Sequence, residues 1–134
     1  MEDLELAWQT FDFHITSSIN KELELVKYVE KFKGNVAKIS DGVTKDSERR
    51  LVVRNISLFK KLSNCTDLLI NDYRKQNMIL QELIDLNKHC SANGIPIPPE
   101  REVPIMYLNE LKNTNATLIQ QLKVQIEEFK SLLG

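Results

Sequence analysis

The sequence predicts an all-α protein: an elongated antiparallel three-helix bundle, or helical hairpin, with coiled-coil character and one very long central helix. Apolar residues recur at spacings of three and four over almost the whole chain, as they do along the buried face of a helix. Only two places can end a helix cleanly, Asp41-Gly42 and the proline-rich run from Asn93 to Pro104. Neither glycine nor proline occurs between Val43 and Asn93, so one helix of about fifty residues can form there.

The first helix is predicted over about residues 3–40 of a single helical domain, residues 1–134. Its seam repeats every seven residues in two companion rows, as in a coiled coil: Leu4, Phe11, Ser18, Leu25, Phe32 and Ile39, with Trp8, Ile15, Glu22, Val29 and Val36. Three more apolar residues add a second face: Ile19, Leu23 and Val26. A helix with two apolar faces usually contacts more than one neighbour. Gly34 can end this helix early or be carried in its interior at a cost of about 1 kcal/mol, and both alternatives stay open.

The second helix is predicted over about residues 44–92, with Thr44 or Ser47 as its N-cap and an acidic residue in its first turn. Its apolar seam is again spaced by threes and fours: Val52, Ile56, Phe59, Leu62, Thr66, Leu69, Tyr73, Gln76, Leu80, Leu83 and Asn87. This is the very long central helix of the predicted fold.

A proline-rich connector at residues 93–103 precedes the third helix, which is predicted over about residues 104–133 because proline is favourable in a first turn. Its seam contains Leu108, Leu111, Asn115, Leu118, Leu122, Gln125, Phe129 and Leu132. Polar residues inside such a seam, here Asn115 and Gln125, either fix the register of the helices or occupy half-exposed positions. The sequence leaves these two interpretations open.

The short turn at Gly42 makes the first two helices antiparallel neighbours, so that residue i faces about residue 86 − i. The third helix then returns along the far half of the second, with Phe129 near Asp67. Three helices are therefore expected to overlap only from about Leu62 to Glu82. Beyond that overlap the sequence predicts a two-helix tip, made of residues near 28–41 and 43–60.

The apolar residues of this tip are the predicted partner-binding residues: Val29, Phe32, Val36, Ile39, Val43, Val52, Ile56 and Phe59. Burial of each such side chain stabilises by about 1.5–3 kcal/mol, and two helices alone cannot cover both of their sides. A helical or coiled-coil chain, either another protein or a second copy, is expected to complete the bundle there. The alternative is a self-sufficient hairpin whose seam is shielded by lysine and arginine stems.

Charge is segregated along the chain. From Lys27 to Lys61 there are ten basic and four acidic residues, a local charge of +6, although the whole chain has a formal charge of −1. The electrostatic residues assigned to the tip are Lys45, Arg49, Arg50, Arg54, Lys60 and Lys61. An acidic protein segment is the favoured partner for them. Nucleic acid is less favoured, because aromatic residues for base stacking are not interleaved with these charges.

The sequence contains no motif for catalysis, and we expect a non-enzyme with no cofactor and no metal. His14 and His89 are the only histidines, and neither has other ligand residues at a recognisable metal-binding spacing. Cys-x-x-Cys pairs and phosphate-binding glycine loops are absent.

Several features favour an intracellular protein of the cytoplasm or nucleus. No run approaches the roughly 20 apolar residues of a membrane span, and the N-terminus lacks the pattern of a secretory signal. Cys65 and Cys90 lie too far apart along one predicted helix to form a disulfide. The apolar ending either belongs to a helix that continues in a longer protein or is capped by Gly134.

The favoured function is a non-catalytic structural or interaction subunit of a hetero-oligomeric coiled-coil assembly, of the kind found in chromosome-segregation, cytoskeletal and tethering complexes by architectural analogy alone. One alternative is a basic-tipped adaptor that binds nucleic acid or an anionic membrane. The other is a self-contained three-helix regulatory domain of a membrane-fusion protein, which needs helices of similar length. The sequence leaves open whether the assembly contains one kind of chain or several.

Overall fold

The computed structural model describes residues 2–133 and consists of three α-helices. These are α1 (Glu2–Ser40), α2 (Lys45–Ala92) and α3 (Ile105–Leu132), and a short 3-10 helix, Pro99–Arg101, lies in the connector before α3. The described residues contain no β-strand. The predicted all-α class with three helices is therefore confirmed, whereas a cap at Gly134 lies outside the described residues.

The helices end where the sequence places its stop signals. Gly42 has a φ of +83° and donates its backbone N–H to Ile39 O at 3.2 Å, a left-handed conformation that glycine adopts without strain. Thr44 caps α2, since its Oγ1 accepts the backbone N–H of Ser47 at 3.2 Å. At the other end of α2, Gly94 has a φ of +65°. Local backbone chemistry thus sets both boundaries of the long central helix.

Gly34 does not interrupt α1, which continues through it to Ser40. A Cβ added at Gly34 would meet no atom within 4 Å, so no close contact inside the chain requires glycine there. A glycine in a helix interior costs about 1 kcal/mol relative to alanine. This position therefore weakens the helix without an internal packing reason.

We expect Gly34→Ala to raise the free energy of unfolding by about 1 kcal/mol, because it improves helix propensity and fills open space. Urea denaturation followed by circular dichroism measures the change. The reverse substitution at a nearby exposed position of the same helix, Ala37→Gly, is the matched control and should lower stability by a similar amount. A destabilised Gly34→Ala protein would contradict the open space observed beside Gly34.

The chain folds into two compact units. Unit 1 contains Met1–Ser18 and Asn71–Ile119, and unit 2 contains Ile19–Ile70 and Gln120–Gly134. Each unit includes a segment of all three helices. Each therefore has its own packed core, to which α1, α2 and α3 all contribute.

The core of unit 1 lies between the start of α1, the end of α2 and the start of α3. Its buried members are Leu4, Ala7, Trp8, Phe11, Ile79, Leu80, Leu83, Ile84 and Leu108. The connector also contributes, because Ile97 and Val103 pack against this core. Arg101 lies over the Trp8 ring and forms a bidentate pair with Glu5 at 2.8 and 3.1 Å. Hydrogen bonding from Arg101 lowers the pKa of the Glu5 carboxyl, and the pair fastens the connector to α1.

A buried polar layer joins all three helices in unit 1. Gln76 on α2 donates its side-chain amide to His14 O at 3.0 Å and to Ser18 Oγ at 3.1 Å on α1. From α3, Asn115 donates to Gln76 Oε1 at 3.1 Å and to Asn77 Oδ1 at 3.1 Å. Because Asn115 is buried and hydrogen-bonded, its position in the seam is not a tolerated half-exposed one. The layer instead matches the register-fixing interpretation.

The core of unit 2 is centred on Phe32, whose side chain is completely buried. Its ring centroid lies 5.1 Å from that of Phe129 on α3 and 6.5 Å from that of Phe59 on α2. Asn55 donates to the backbone oxygen of Phe32 at 3.4 Å and accepts from Asn35 at 2.8 Å. All three helices therefore meet around Phe32.

This arrangement corrects the expected extent of α3. With Asn115 opposite Gln76, the register of α3 against α2 is displaced by about five residues from the predicted one, towards the start of α2. The physical reason is the path of the connector, which packs Ile97 and Val103 onto the core of unit 1 instead of extending past it. As a consequence Phe129 reaches Phe32, so a third helix covers the part of the predicted two-helix tip that contains Phe32.

Candidate interaction surface

The structure divides the eight predicted partner-binding residues, all of which lie in unit 2, into three groups. Phe32 is completely buried in the chain's own core. Four are half-buried: Val29, Val36, Ile39 and Phe59. Three are exposed: Val43, Val52 and Ile56. Only this last group presents substantial apolar area to a partner.

The end of α3 covers part of the predicted tip, although Val43, Val52 and Ile56 stay exposed. Phe129 packs on Phe32, and Leu132 and Leu133 line a cavity together with Val36 and Ile39. The missing third helix was the reason for assigning a partner role to Phe32, and that reason no longer holds. We therefore treat Phe32 as a core residue.

A second apolar surface lies on α1 within unit 2. Ile19, Leu23 and Val26 are 49%, 61% and 53% exposed, respectively. Their spacing of four and three residues places them on one face of the helix, whereas Leu25 and Phe32 point into the core. These are the residues whose spacing predicted a second apolar face. We call them the α1 stripe.

The six predicted electrostatic residues are all exposed. Arg54 and Lys61 contribute to a groove between α1 and α2, together with Lys31 and Lys38 from α1. The remaining lining residues are Gly34, Asn35, Ser57 and Leu58. Every charged residue that lines this groove is basic, and we call it the basic groove. The structure thus brings two of the six residues together with two lysines that sequence reasoning did not assign to a site.

A separate polar cluster lies in unit 1, on the side chain of the buried Asp72. His14 Nδ1 is 3.2 Å from Asp72 Oδ1, and Ser17 donates its hydroxyl proton to Asp72 Oδ2 at 2.9 Å. A serine nucleophile needs its proton directed to a base such as imidazole, but here the hydroxyl proton is directed to the carboxylate. The geometry is that of a buried hydrogen-bonded cluster, not of an activated nucleophile.

Sequence reasoning missed this cluster, although one signal could have found it. The predicted pairing of residue i with about residue 86 − i places His14 opposite Asp72, and the structure brings those two side chains together. Nothing in the local sequence around either residue points to the contact. Only the register of the two antiparallel helices reveals it.

The two cysteines are buried thiols. Cys65 Sγ donates to the backbone oxygen of Lys21 at 3.4 Å, and burial raises the pKa of this thiol. A raised pKa lowers the fraction of reactive thiolate at neutral pH, so Cys65 is suited to packing and not to nucleophilic attack. Among residues 2–133 there is no cluster of three or more histidine, cysteine or acidic side chains that could hold a metal ion.

Comparison with protein-family models, with curated proteins and with solved structures finds no significant match for this chain. Over the part of the chain that the structure describes, none of the helices combines the length and apolar character required to cross a bilayer. The chain is thus a helical protein of the three-helix class.

Proposed function

We propose that the protein is a non-catalytic interaction subunit that pairs its helices with helices of other chains in a coiled-coil assembly. The observation that carries the proposal is the exposure of Ile19, Leu23 and Val26 along one face of α1. Because about half of each side chain is exposed, burying it against a partner would stabilise the complex by about 1 kcal/mol per residue. Leaving all three in water is unfavourable unless a partner covers them.

The spacing of the α1 stripe indicates what kind of partner fits it. Positions i, i+4 and i+7 form a straight ridge about two turns long, which packs into the groove of another helix. More exposed apolar residues lie in unit 2 at the start of α2: Val52, Val53 and Ile56. Hetero-oligomeric assemblies of the cytoplasm or nucleus, such as chromosome-segregation, cytoskeletal or tethering complexes, use helices in this way, and the link to them is architectural analogy alone.

Site-specific photo-crosslinking in the native cell tests this proposal. A photoreactive amino acid at Val26 is expected to give one discrete adduct, because the α1 stripe is covered by a partner helix. The same amino acid at Glu24, an exposed position on a different face of α1, is the matched control and should give none. Leu23→Glu should abolish the adduct at Val26, since it places a charge in an apolar interface.

Light scattering complements the crosslinking, because it detects pairing between copies of this chain. A dimer that Leu23→Glu converts to a monomer would identify a second copy as the partner. A monomeric molar mass combined with no adduct at Val26 contradicts the proposal. The Leu23→Glu substitution itself should leave the fold unchanged, since an exposed helix position tolerates glutamate with a change in stability within about 0.5 kcal/mol.

A second candidate function is an adaptor that binds nucleic acid or an anionic membrane through exposed basic residues, which the exposure of all six predicted cations favours. Added salt separates the two, because binding through phosphates weakens steeply with salt whereas an apolar helix interface changes little. A regulatory domain of a membrane-fusion protein is less favoured, since helices of 39, 48 and 28 residues are not of similar length.

A further inference from the structure

We infer that the basic groove between α1 and α2 binds an acidic helix of a partner chain. This inference rests on the proposed function, since it assumes that the protein is an interaction subunit, but it concerns a surface separate from the α1 stripe. Three properties of the groove carry it: its shape, its floor and its charge.

The shape of the groove fits a helix that lies along it. Lys31, Gly34, Asn35 and Lys38 occupy positions i, i+3, i+4 and i+7 of α1. Arg54, Ser57, Leu58 and Lys61 repeat the same spacing on α2. Each set forms one continuous face of its helix, about 10 Å long at 1.5 Å per residue. The two faces form the sides of a shallow open groove between the helices, and an amphipathic helix can lie along such a groove.

The groove is open at Gly34. Gly34 has no side chain, and nothing lies within 4 Å of the position that its Cβ would take. Ser57 is small, and the half-buried Leu58 supplies one apolar contact. Because glycine weakens α1 without serving internal packing, its use here fits a requirement for close approach by something outside the chain.

Four cations mark the corners of the groove. Asn35 is hydrogen-bonded to Asn55, and this antiparallel register places Lys38 within about two residues of the level of Arg54, and Lys31 within about two residues of the level of Lys61. Within residues 2–133, no carboxylate forms a salt bridge with any of these four cations. Like charges held on neighbouring helix faces repel one another, and an acidic ligand would relieve that repulsion.

These features favour an acidic helix over a nucleic acid. Acidic residues seven positions apart on a partner helix are separated by about 10 Å, which matches the distance between the paired cations along α1. None of the groove-lining residues is aromatic, so the groove has no surface on which bases could stack. Leu58 offers apolar contact to a helix side chain, which a phosphate backbone cannot use.

A synthetic helical peptide provides the probe. It consists of three heptads, with alanine along the face that contacts the groove. Each flank of that face carries two glutamates seven residues apart, so the peptide has four glutamates in all. Its binding to the full chain is measured by fluorescence anisotropy at low salt, and a peptide with lysine in place of glutamate controls for charge. We expect the glutamate peptide to bind and the lysine peptide not to bind, because the groove is basic.

A pair of double variants separates the groove from the general basic charge of this region. Lys38→Gln with Arg54→Gln removes two groove cations and should weaken binding about tenfold. Lys45→Gln with Arg49→Gln removes the same charge from exposed positions outside the groove, and should change the affinity less than about twofold. An equal loss in both double variants overturns the inference, because it would indicate attraction without a site.

Gly34→Leu tests whether the open space at Gly34 is needed for binding, and the fold should stay intact. A Cβ at this position meets open space, and leucine improves helix propensity, so stability should not fall. The leucine should, however, fill the groove and weaken binding of the glutamate peptide about tenfold or more. Unchanged binding by Gly34→Leu overturns the inference.

A single-stranded oligonucleotide of matched charge serves as the competitor. If the oligonucleotide displaces the peptide more effectively than unlabelled peptide does, the inference of an acidic helix is also overturned. Failure of these experiments leaves the α1 stripe untouched, since its own readout is the crosslink at Val26. Loss of that crosslink, in turn, would not alter binding in the groove, so the two proposals fail separately.

Discussion

Replacing Phe32 with alanine is expected to lower the free energy of unfolding by about 3–5 kcal/mol, because a fully buried aromatic side chain is removed from a three-helix contact. The rings of Phe59 and Phe129 would both lose their common neighbour, and the cavity cannot collapse without moving α3. A loss of this size is a large part of the 5–15 kcal/mol that typically stabilises a domain. Phe32→Glu should unfold unit 2 outright, since a buried unpaired charge is added to the cavity. Urea denaturation followed by circular dichroism measures both effects.

Ile56 provides the matched control for this prediction. The sequence analysis assigned Ile56 and Phe32 to the same partner-binding set, yet Ile56 is exposed whereas Phe32 is completely buried. Ile56→Glu should therefore change stability by no more than about 0.5 kcal/mol. Equal and small losses for Phe32→Ala and Ile56→Glu would show that Phe32 does not lie in a core. The pair thus separates an internal packing role from a surface role for residues with the same sequence pattern.

The helices and their ends could be predicted because the signals are local. Glycine in the left-handed conformation at Gly42 and Gly94, and the cap at Thr44, act within a few residues of the backbone that they terminate. The seven-residue rows of α1 likewise require only helix geometry to be recognised. The same reasoning identified Ile19, Leu23 and Val26 as a second face.

The extent of α3 along α2 could not be predicted, because it depends on the path of the connector. Residues 93–104 could extend past the end of α2 or fold back onto it, and only the packing of Ile97 and Val103 on the core decides between these paths. A displacement of about five residues moves Phe129 from a position near Asp67, in the middle of α2, to a position beside Phe32. An error in one connector therefore turned a core into a predicted interface.

The basic groove could not be predicted from the sequence for a related reason. Lys31 and Lys38 belong to the basic segment noted in the sequence, but their pairing with Arg54 and Lys61 requires the register of α1 against α2 at the level of single turns. From the sequence alone, Gly34 is recognisable only as a possible helix breaker. Its place in the groove becomes visible only when the second wall is known.

Gln76→Leu is expected to lower the free energy of unfolding by about 1–3 kcal/mol. Gln76 is buried, and its side chain links Ser18 on α1 to Asn115 on α3. An apolar residue of similar volume would remove both bonds. Ser18 still donates to Ile15 O and Asn115 still donates to Asn77 Oδ1, so the cost is about 1–3 kcal/mol in total. Urea denaturation measures the loss, and Gln81→Leu at an exposed position of α2 is the control that should change stability little.

The three polar residues of the layer should behave as a unit when all are replaced. Ser18→Ala, Gln76→Leu and Asn115→Leu together leave no stranded partner among the three side chains, although the half-buried Asn77 loses the amide of Asn115. The triple variant should therefore recover part of the stability lost in Gln76→Leu. Its cost should be a loss of register, because apolar side chains permit α3 to slide along α2 where Asn115 and Gln76 do not. Amide NMR spectra of the triple variant should then show more than one set of signals for α3. A stable triple variant with a single set of signals would mean that packing alone positions α3, with the connector contacts of Ile97 and Val103 determining its register.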